Sequence, residues 1–192
     1  LSGDIDVTVA ASATTLPLIE GSDTIQMVRV LGSRENDLVL NCREGHPTAD
    51  VNLRRALSCA IDREVVARIA GGDYSKPLYT PFPPSVGYNA PELQGQVYDV
   101  DQAREYLALA GYEEKDGEEL VLRISLSSSS STAVFQAVQD MWKAIGVHAE
   151  IELLENISDI RASGDFDCIS GGSQTVNNAD GQAWLRNHFS AN

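Results

Sequence analysis

The sequence predicts an α/β fold in which βαβ units build a mixed, partly parallel sheet. Three observations carry this. First, "LVLRISL" (120–126) alternates Leu120, Leu122, Ile124 and Leu126 with polar residues, the period-two signature of a strand. Second, "AVFQAVQDMWKAIG" (133–146) sets Val134, Val138, Met141, Trp142 and Ile145 on one helical stripe, with Gly146 closing it. Third, "VHAEIELLE" (147–155) returns to period two, with Val147, Ala149, Ile151 and Leu153 on one face. A strand, a helix and a strand this close together form a βαβ unit, so the strands run parallel with a right-handed crossover.

The elements follow in chain order. "DIDVTVA" (4–10), "DTIQMVRVLG" (23–32) and "DLVLN" (37–41) read as strands. "GHPTADVNLR" is a turn in which Asp50 or Asn52 caps the next helix. That helix places Leu53, Leu57, Ala60 and Ile61 on one apolar face and Arg54, Arg55 and Ser58 on others. Asp62 starts a further stretch with Val65, Val66 and Ile69 inward, stopped by Gly71-Gly72. Residues 76–92, "KPLYTPFPPSVGYNAPE", hold five of the seven prolines and form an irregular excursion, held down by Tyr79, Phe82 and Tyr88. "YDVDQAREYLALAGY" (98–112) is a helix capped by Asp99, with Ala103, Tyr106, Leu107 and Ala110 buried and Gly111 as its stop. "EEKDGEE" is a charged turn. After the βαβ unit, a short helix at 157–162 and a third strand, "FDCIS" (166–170), extend the winding. Ser127–Ser131, linker-like in composition, then becomes a βα loop, and "GGSQTVNN" (171–178) the loop after the third strand.

Composition excludes several functions. With 28 acidic against 14 basic residues the formal net charge is -14, which repels phosphate backbones and argues against nucleic acid as a partner. No apolar run of about 20 residues is present, so no segment inserts directly into a membrane. The chain opens on Leu1-Ser2-Gly3 and ends on Ala191-Asn192, which reads as a segment of a longer protein. Cys42, Cys59 and Cys168 lack zinc-site spacing; free buried thiols are expected, with a Cys42–Cys59 bridge as the alternative.

The chemistry-bearing residues argue against catalysis. "RRALSCAIDRE" (54–64) looks like a reactive-cysteine or charge-relay site, but Cys59 falls in mid-helix beside the apolar stripe with no histidine nearby in sequence. Its charges fit helix-surface pairing and capping. His46, His148 and His188 form no metal-ligating pair, and neither a metal nor a cofactor is expected. Asp165 and Asp167 share one side of a strand without an acid/base partner. Ligands of open α/β sheets bind outside the carboxyl ends of parallel strands, here Ser127–Ser131 and Gly171–Asn178. The second segment offers backbone, amides and hydroxyls but no nucleophile or base. Ser173, Gln174, Thr175 and Asn177 are the candidate ligand-binding group.

Taken in order, "DLVLN", "RRALSCAIDRE", "KPLYTPFPPSVGY", "YDVDQAREYLALAGY", "W-x-x-IGVHAEI" and "GDFDCISGG" resemble the family 5 extracellular solute-binding proteins, the peptide- and nickel-binding receptors of bacterial ATP-driven (ABC) importers. The resemblance covers nearly the whole chain. It implies a periplasmic-binding-protein-like lobe, with residues 1–36 the end of a first lobe and its crossover strands and 37–192 an incomplete second, ligand-binding lobe. It implies no enzyme activity. Instead it implies a monomeric, extracytoplasmic receptor, periplasmic or lipid-anchored, that closes over a small-molecule or oligopeptide ligand and delivers it to a membrane permease. A nickel or metal-chelate receptor and a sensor or adaptor built on the same lobe are the alternatives. Peptide-binding members hold a Trp and an amine-pairing Asp after the "G-x-FD" strand. Here the Trp position falls on Ser173 and the Asp position near Val176 or Asn177, so both anchors are absent unless Asp180 substitutes. A neutral loop of this kind suits a blocked peptide, a sugar or a chelate.

Overall fold

The structure is a computed structural model that describes residues 6–8, 15–86, 92, 95–112 and 120–175. The chain divides into two compact units, Leu1–Leu31 and Gly32–Asn192. In the first, α1 (Leu16–Ile19) buries Leu16, and Glu20 pairs with Arg29. The expected strand at 4–10 lies almost wholly outside the described residues. The expected strand at 23–32 is a correction: the segment joins no sheet, and Val28 and Val30 stand 75% and 83% exposed. Period-two patterning marks a strand only where a neighbour supplies the ladder hydrogen bonds.

The second unit is a four-stranded sheet in the order β1-β4-β2-β3. The strands are β1 (Arg34–Leu40), β2 (Leu120–Ser127), β3 (Val147–Leu154) and β4 (Cys168–Thr175). β2 runs parallel to β3 and to β4, while β1 joins β4 antiparallel. The sheet is therefore mixed and partly parallel, as the βαβ pattern predicts. β4 corrects the expected third strand: pairing continues five residues past Ser170, so 171–175 extend the sheet and are not a loop.

Helices α2 (Val51–Cys59), α3 (Arg63–Gly71), α4 (Val100–Leu109) and α5 (Ala133–Lys143) precede or connect these strands. Asp50, not Asn52, caps α2, accepting from the N–H groups of Asn52 at 2.7 Å and Leu53 at 3.0 Å. Asp62 caps α3 and Asp99 caps α4 in the same way. Leu53 and Leu57 of α2 with Ala60 just after it, Ala103 and Leu107 of α4, and Val138 and Trp142 of α5 join Leu122, Ile124, Leu126 and Val147 in one core. The Trp142 indole N–H donates to Leu57 O at 3.0 Å, satisfying the polar atom of a fully covered ring.

α3 lies further out than its sequence suggests. Val66 packs against the core, but Val65 and Ile69 are 37% and 43% exposed, and Ala67 is the one residue of α3 that is fully buried. Leu153, expected inward, is 51% exposed because it sits near the carboxyl end of edge strand β3, past the helical cover. The proline-rich excursion is held by Phe82 and Val86, which are buried together, and by Arg63, whose guanidinium lies 5.5 Å from the centre of the Tyr79 ring. Tyr88, the 113–119 turn, Asp180 and His188 lie outside the described residues.

Candidate ligand-binding edge

β2 and β3 end level, at Ser127 and Leu154, whereas the Ser125↔Ile169 pair carries β4 past the end of β2 to Thr175, where antiparallel β1 brings Arg34 opposite it. Past β2 the chain turns sharply: Ser128 N donates to Leu154 O at 2.9 Å, and Ser130 N to Ser127 O at 2.8 Å. Ser127 Oγ and Ser129 Oγ lie 3.0 Å apart. Thr132 then precedes α5 without a side-chain cap. α6 (Ile157–Ser163) is tied to β4 through Arg161, which donates to Ser170 O at 2.8 Å. Serine hydroxyls and backbone groups thus line the turn past β2.

Of the predicted group, Ser173, Gln174 and Thr175 stand in β4 opposite Asn36, Glu35 and Arg34, respectively. They are strand positions rather than loop positions. Asn177 lies outside the described residues. Glu35 is 5% exposed, whereas Asn36 beside it is exposed. Residues 34–37 were not singled out from the sequence; the pairing of β1 with β4 is what brings them to this edge.

The other chemistry-bearing residues are consumed structurally. Arg54 donates to Thr48 O at 2.9 Å and Ala49 O at 2.8 Å, and Arg55 lies over the Tyr106 ring. Arg63 donates to Gln96 O at 3.0 Å and to Ser58 Oγ at 2.8 Å. The arginines of "RRALSCAIDRE" therefore bind carbonyls, a hydroxyl and ring faces, in place of the surface ion pairs their spacing suggests. The Cys59 thiol is fully buried and donates to Gln96 Oε1 at 3.3 Å. Burial first, then the Asp99 charge, raises its pKa against the opposing pull of Arg63, so it is a protonated core thiol. Burial also raises the Cys168 thiol, and all three cysteines are free, so no Cys42–Cys59 bridge forms.

Asp165 and Asp167 clasp an arginine. Arg123 donates to Asp165 Oδ1 at 2.7 Å, and its backbone N–H donates to Asp167 Oδ2 at 3.0 Å. His46 Nδ1 lies 3.4 Å from Asp167 Oδ1. The hydrogen bond from Arg123 and its charge hold the Asp165 carboxyl below its ordinary range. This arrangement braces the amino end of β4, away from the ligand edge. Among the described residues no group of three His, Cys, Asp or Glu side chains is placed to hold a metal ion, and no helix is long and apolar enough to cross a membrane.

The sequence profile described as "Bacterial extracellular solute-binding proteins, family 5 Middle" matches residues 1–192. The chain belongs to this family. It is 35% identical over 109 residues to the glutathione-binding protein GsiB of Salmonella typhimurium, covering 57% of this chain and 21% of that protein. The Escherichia coli K12 GsiB is 27% identical over 138 residues, covering 72% of this chain and 26% of the relative. The unliganded open form of the periplasmic murein tripeptide-binding protein MppA superposes with a TM-score of 0.78 at 26% identity, over 96% of this chain and 37% of that one. NikA from Brucella suis, in complex with Fe(III)-EDTA, shares the fold with a TM-score of 0.79 at 20% identity, over 93% of this chain and 38% of that one. The GsiB relatives are named as binding proteins, and this chain spans about a fifth to a quarter of their length.

Proposed function

We propose that this chain is the ligand-binding lobe of the receptor of a bacterial ABC importer, and that it binds a short peptide or similarly polar solute without altering it. One observation carries the reading. In a family of solute-binding proteins, the carboxyl ends of the parallel strands offer serine hydroxyls past β2 and, where β4 runs on beyond β2, strand backbone at the positions of Ser173, Gln174 and Thr175. Asn177 continues the same stretch in sequence. Residues 1–36 are the end of the companion lobe with its crossover, and 37–192 form the lobe bearing this edge. The receptor works outside the cytoplasm as a monomer, and a membrane permease reads its closed state.

The lack of a Trp at Ser173 and of an Asp at Val176 or Asn177, with Asp180 the alternative amine partner, favours a ligand gripped through its backbone amides over one held by a free amine. Glutathione, named in the GsiB relatives, and a plain tripeptide are the first probes. The test is calorimetric titration of the complete protein and of this chain alone with each probe. The complete protein binds and the chain alone gives no heat, because a lobe that supplies half the walls of a cleft loses most of the contact area. Equal affinity of the isolated chain would overturn the two-lobe reading.

A further inference from the structure

α5 carries two apolar stripes, and the core takes one of them. Val138 and Trp142 are buried in the core, with Ile145 just past the helix. Ala137, Met141 and Ala144 recur at i, i+4 and i+7 on another stripe. With Ala60, Tyr98 and Val100 they line a groove of about 330 Å³. Arg104 of α4 donates to Ala144 O at 3.0 Å and straps the two walls together at one end. Ala144 and Asp140 are exposed, and Tyr98 is 48% exposed.

The groove is not the ligand edge. α5 begins past the loop that leaves β2 and ends just before β3 starts, so residues 137–144 lie toward the amino ends of the parallel strands. α3 packs beside α5, and its Val65 and Ile69, an i, i+4 pair expected inward, are exposed as well. Large apolar side chains left at solvent on neighbouring helices mark a contact surface.

The lining says what fits. Three alanines allow close approach, which suits the ridge of another helix better than a polar solute. The polar side chains of the groove are the Tyr98 phenol and the Asp140 carboxylate. Asp140 makes no ion pair or side-chain hydrogen bond among the described residues, and no cation lines the groove. A cover that buries this carboxylate has to bring a cation to it. Chain to supply such a cover is plentiful in proteins of this kind: the GsiB relatives have about four-fifths to three-quarters of their length outside the matched segment.

We infer that the groove is an internal docking site of the complete receptor. An amphipathic helix from outside residues 1–192 lies along α5, sets apolar side chains over Ala137, Met141 and Ala144, and places a lysine or arginine opposite Asp140. Neither the groove nor its cover depends on the ligand edge proposed above. Because the cover belongs to the same polypeptide, the purified receptor has it in place with no partner present.

That last property is tested on the complete protein, with or without ligand. In a Cys42→Ser background, cysteines are introduced singly by Ala144→Cys, in the groove, and by Gln136→Cys, outside it; both positions are exposed in this lobe. A charged thiol reagent should label position 144 roughly tenfold or more slowly than position 136. Equal rates overturn the inference, and are the result for a groove that a permease segment fills or that nothing fills. Adding Asp140→Lys to the Ala144→Cys protein should bring its labelling up to the control rate; unchanged protection overturns the paired cation. A benzophenone maleimide is then attached at Lys143→Cys, beside the groove, and photolysed. Peptide mass spectrometry should find it joined to a segment of the same molecule outside residues 1–192. Attachment only within residues 1–192, a cross-linked dimer, or no attachment overturns the proposal.

Discussion

Asn41 is where a single side chain ties the sheet to the turn that starts β4, and replacing it with leucine should unfold that junction. The residue is 4% exposed. Its Nδ2 donates to Gly164 O and to Phe166 O, each at 2.8 Å, and its Oδ1 accepts from Arg43 N at 3.1 Å. Around it, Thr48 Oγ1 donates to Asn41 O at 2.7 Å, and Asn41 N donates to Asp167 O at 2.8 Å. Asn41→Leu keeps the volume and removes three hydrogen bonds at once. Each is worth about 1 kcal/mol net, and a buried carbonyl left without a donor costs about 1–3 kcal/mol. Arg43 N lies beside an exposed side chain and finds water, so the cost falls on the two carbonyls and totals about 3–4 kcal/mol. For a domain of this size that lowers Tm by roughly 6–16 °C. Urea denaturation of the complete protein followed by circular dichroism measures it, with an unchanged m value showing that the denatured state is the same. Asn41→Asp, which keeps the acceptor and loses the donors, should fall at least as far. A loss below about 1 kcal/mol for Asn41→Leu would show that the junction is held by packing and not by these bonds.

Two further outcomes are expected. Gly171→Ala should destabilise the unit, because the new methyl meets the Asp37 carboxylate; Asp37→Gly in the same chain should recover much of the loss, a coupling that a thermodynamic double-mutant cycle on melting data reads directly. Thiol reagents at pH 8 should modify exposed Cys42 within minutes and leave Cys59 and Cys168 intact until denaturant is added, because burial raises both thiols and keeps them protonated. The linkage follows the same sign: the raised thiols contribute stability that is present below about pH 8.5 and is lost as the pH climbs from there toward their folded values. Rapid labelling of either buried thiol in the native protein, followed by peptide mass spectrometry, would place it at the surface.

What the sequence made legible follows from which interactions are local. Helices α2 and α4 were readable because a 3.6-residue stripe and a cap lie within one short stretch, and α5 from its stripe and the closing Gly146. The choice between Asp50 and Asn52 needed coordinates, because it depends on backbone angles before the first turn. The parallel order of β2 and β3 was readable because the connecting helix dictates it. β4 was read short because "GGSQT" has poor strand propensity, and its pairing with Arg34–Asp37 comes from a segment more than a hundred residues earlier. The strand read at 23–32 failed for the converse reason: its own alternation is good, and no described strand pairs with it. The candidate ligand edge rests on a general rule of α/β sheets. Ser173, Gln174 and Thr175 follow a strand in sequence, while their pairing with residues 34–36 arises only through a ladder.

The stretch that looks most chemical, "RRALSCAIDRE", and the stretch that looks least, "GGSQT", exchange roles once packing is counted. Arg54 turns one terminal nitrogen onto the carbonyls of Thr48 and Ala49, and a thiol with its pKa raised by burial has no thiolate to offer. Those groups hold α2, α3 and the proline-rich excursion in place. A glycine under an aspartate carboxylate carries no functional group at all, yet it sits where the ladder shifts by one residue. Reactive-looking side chains become structural when their hydrogen bonds are spent inside the fold.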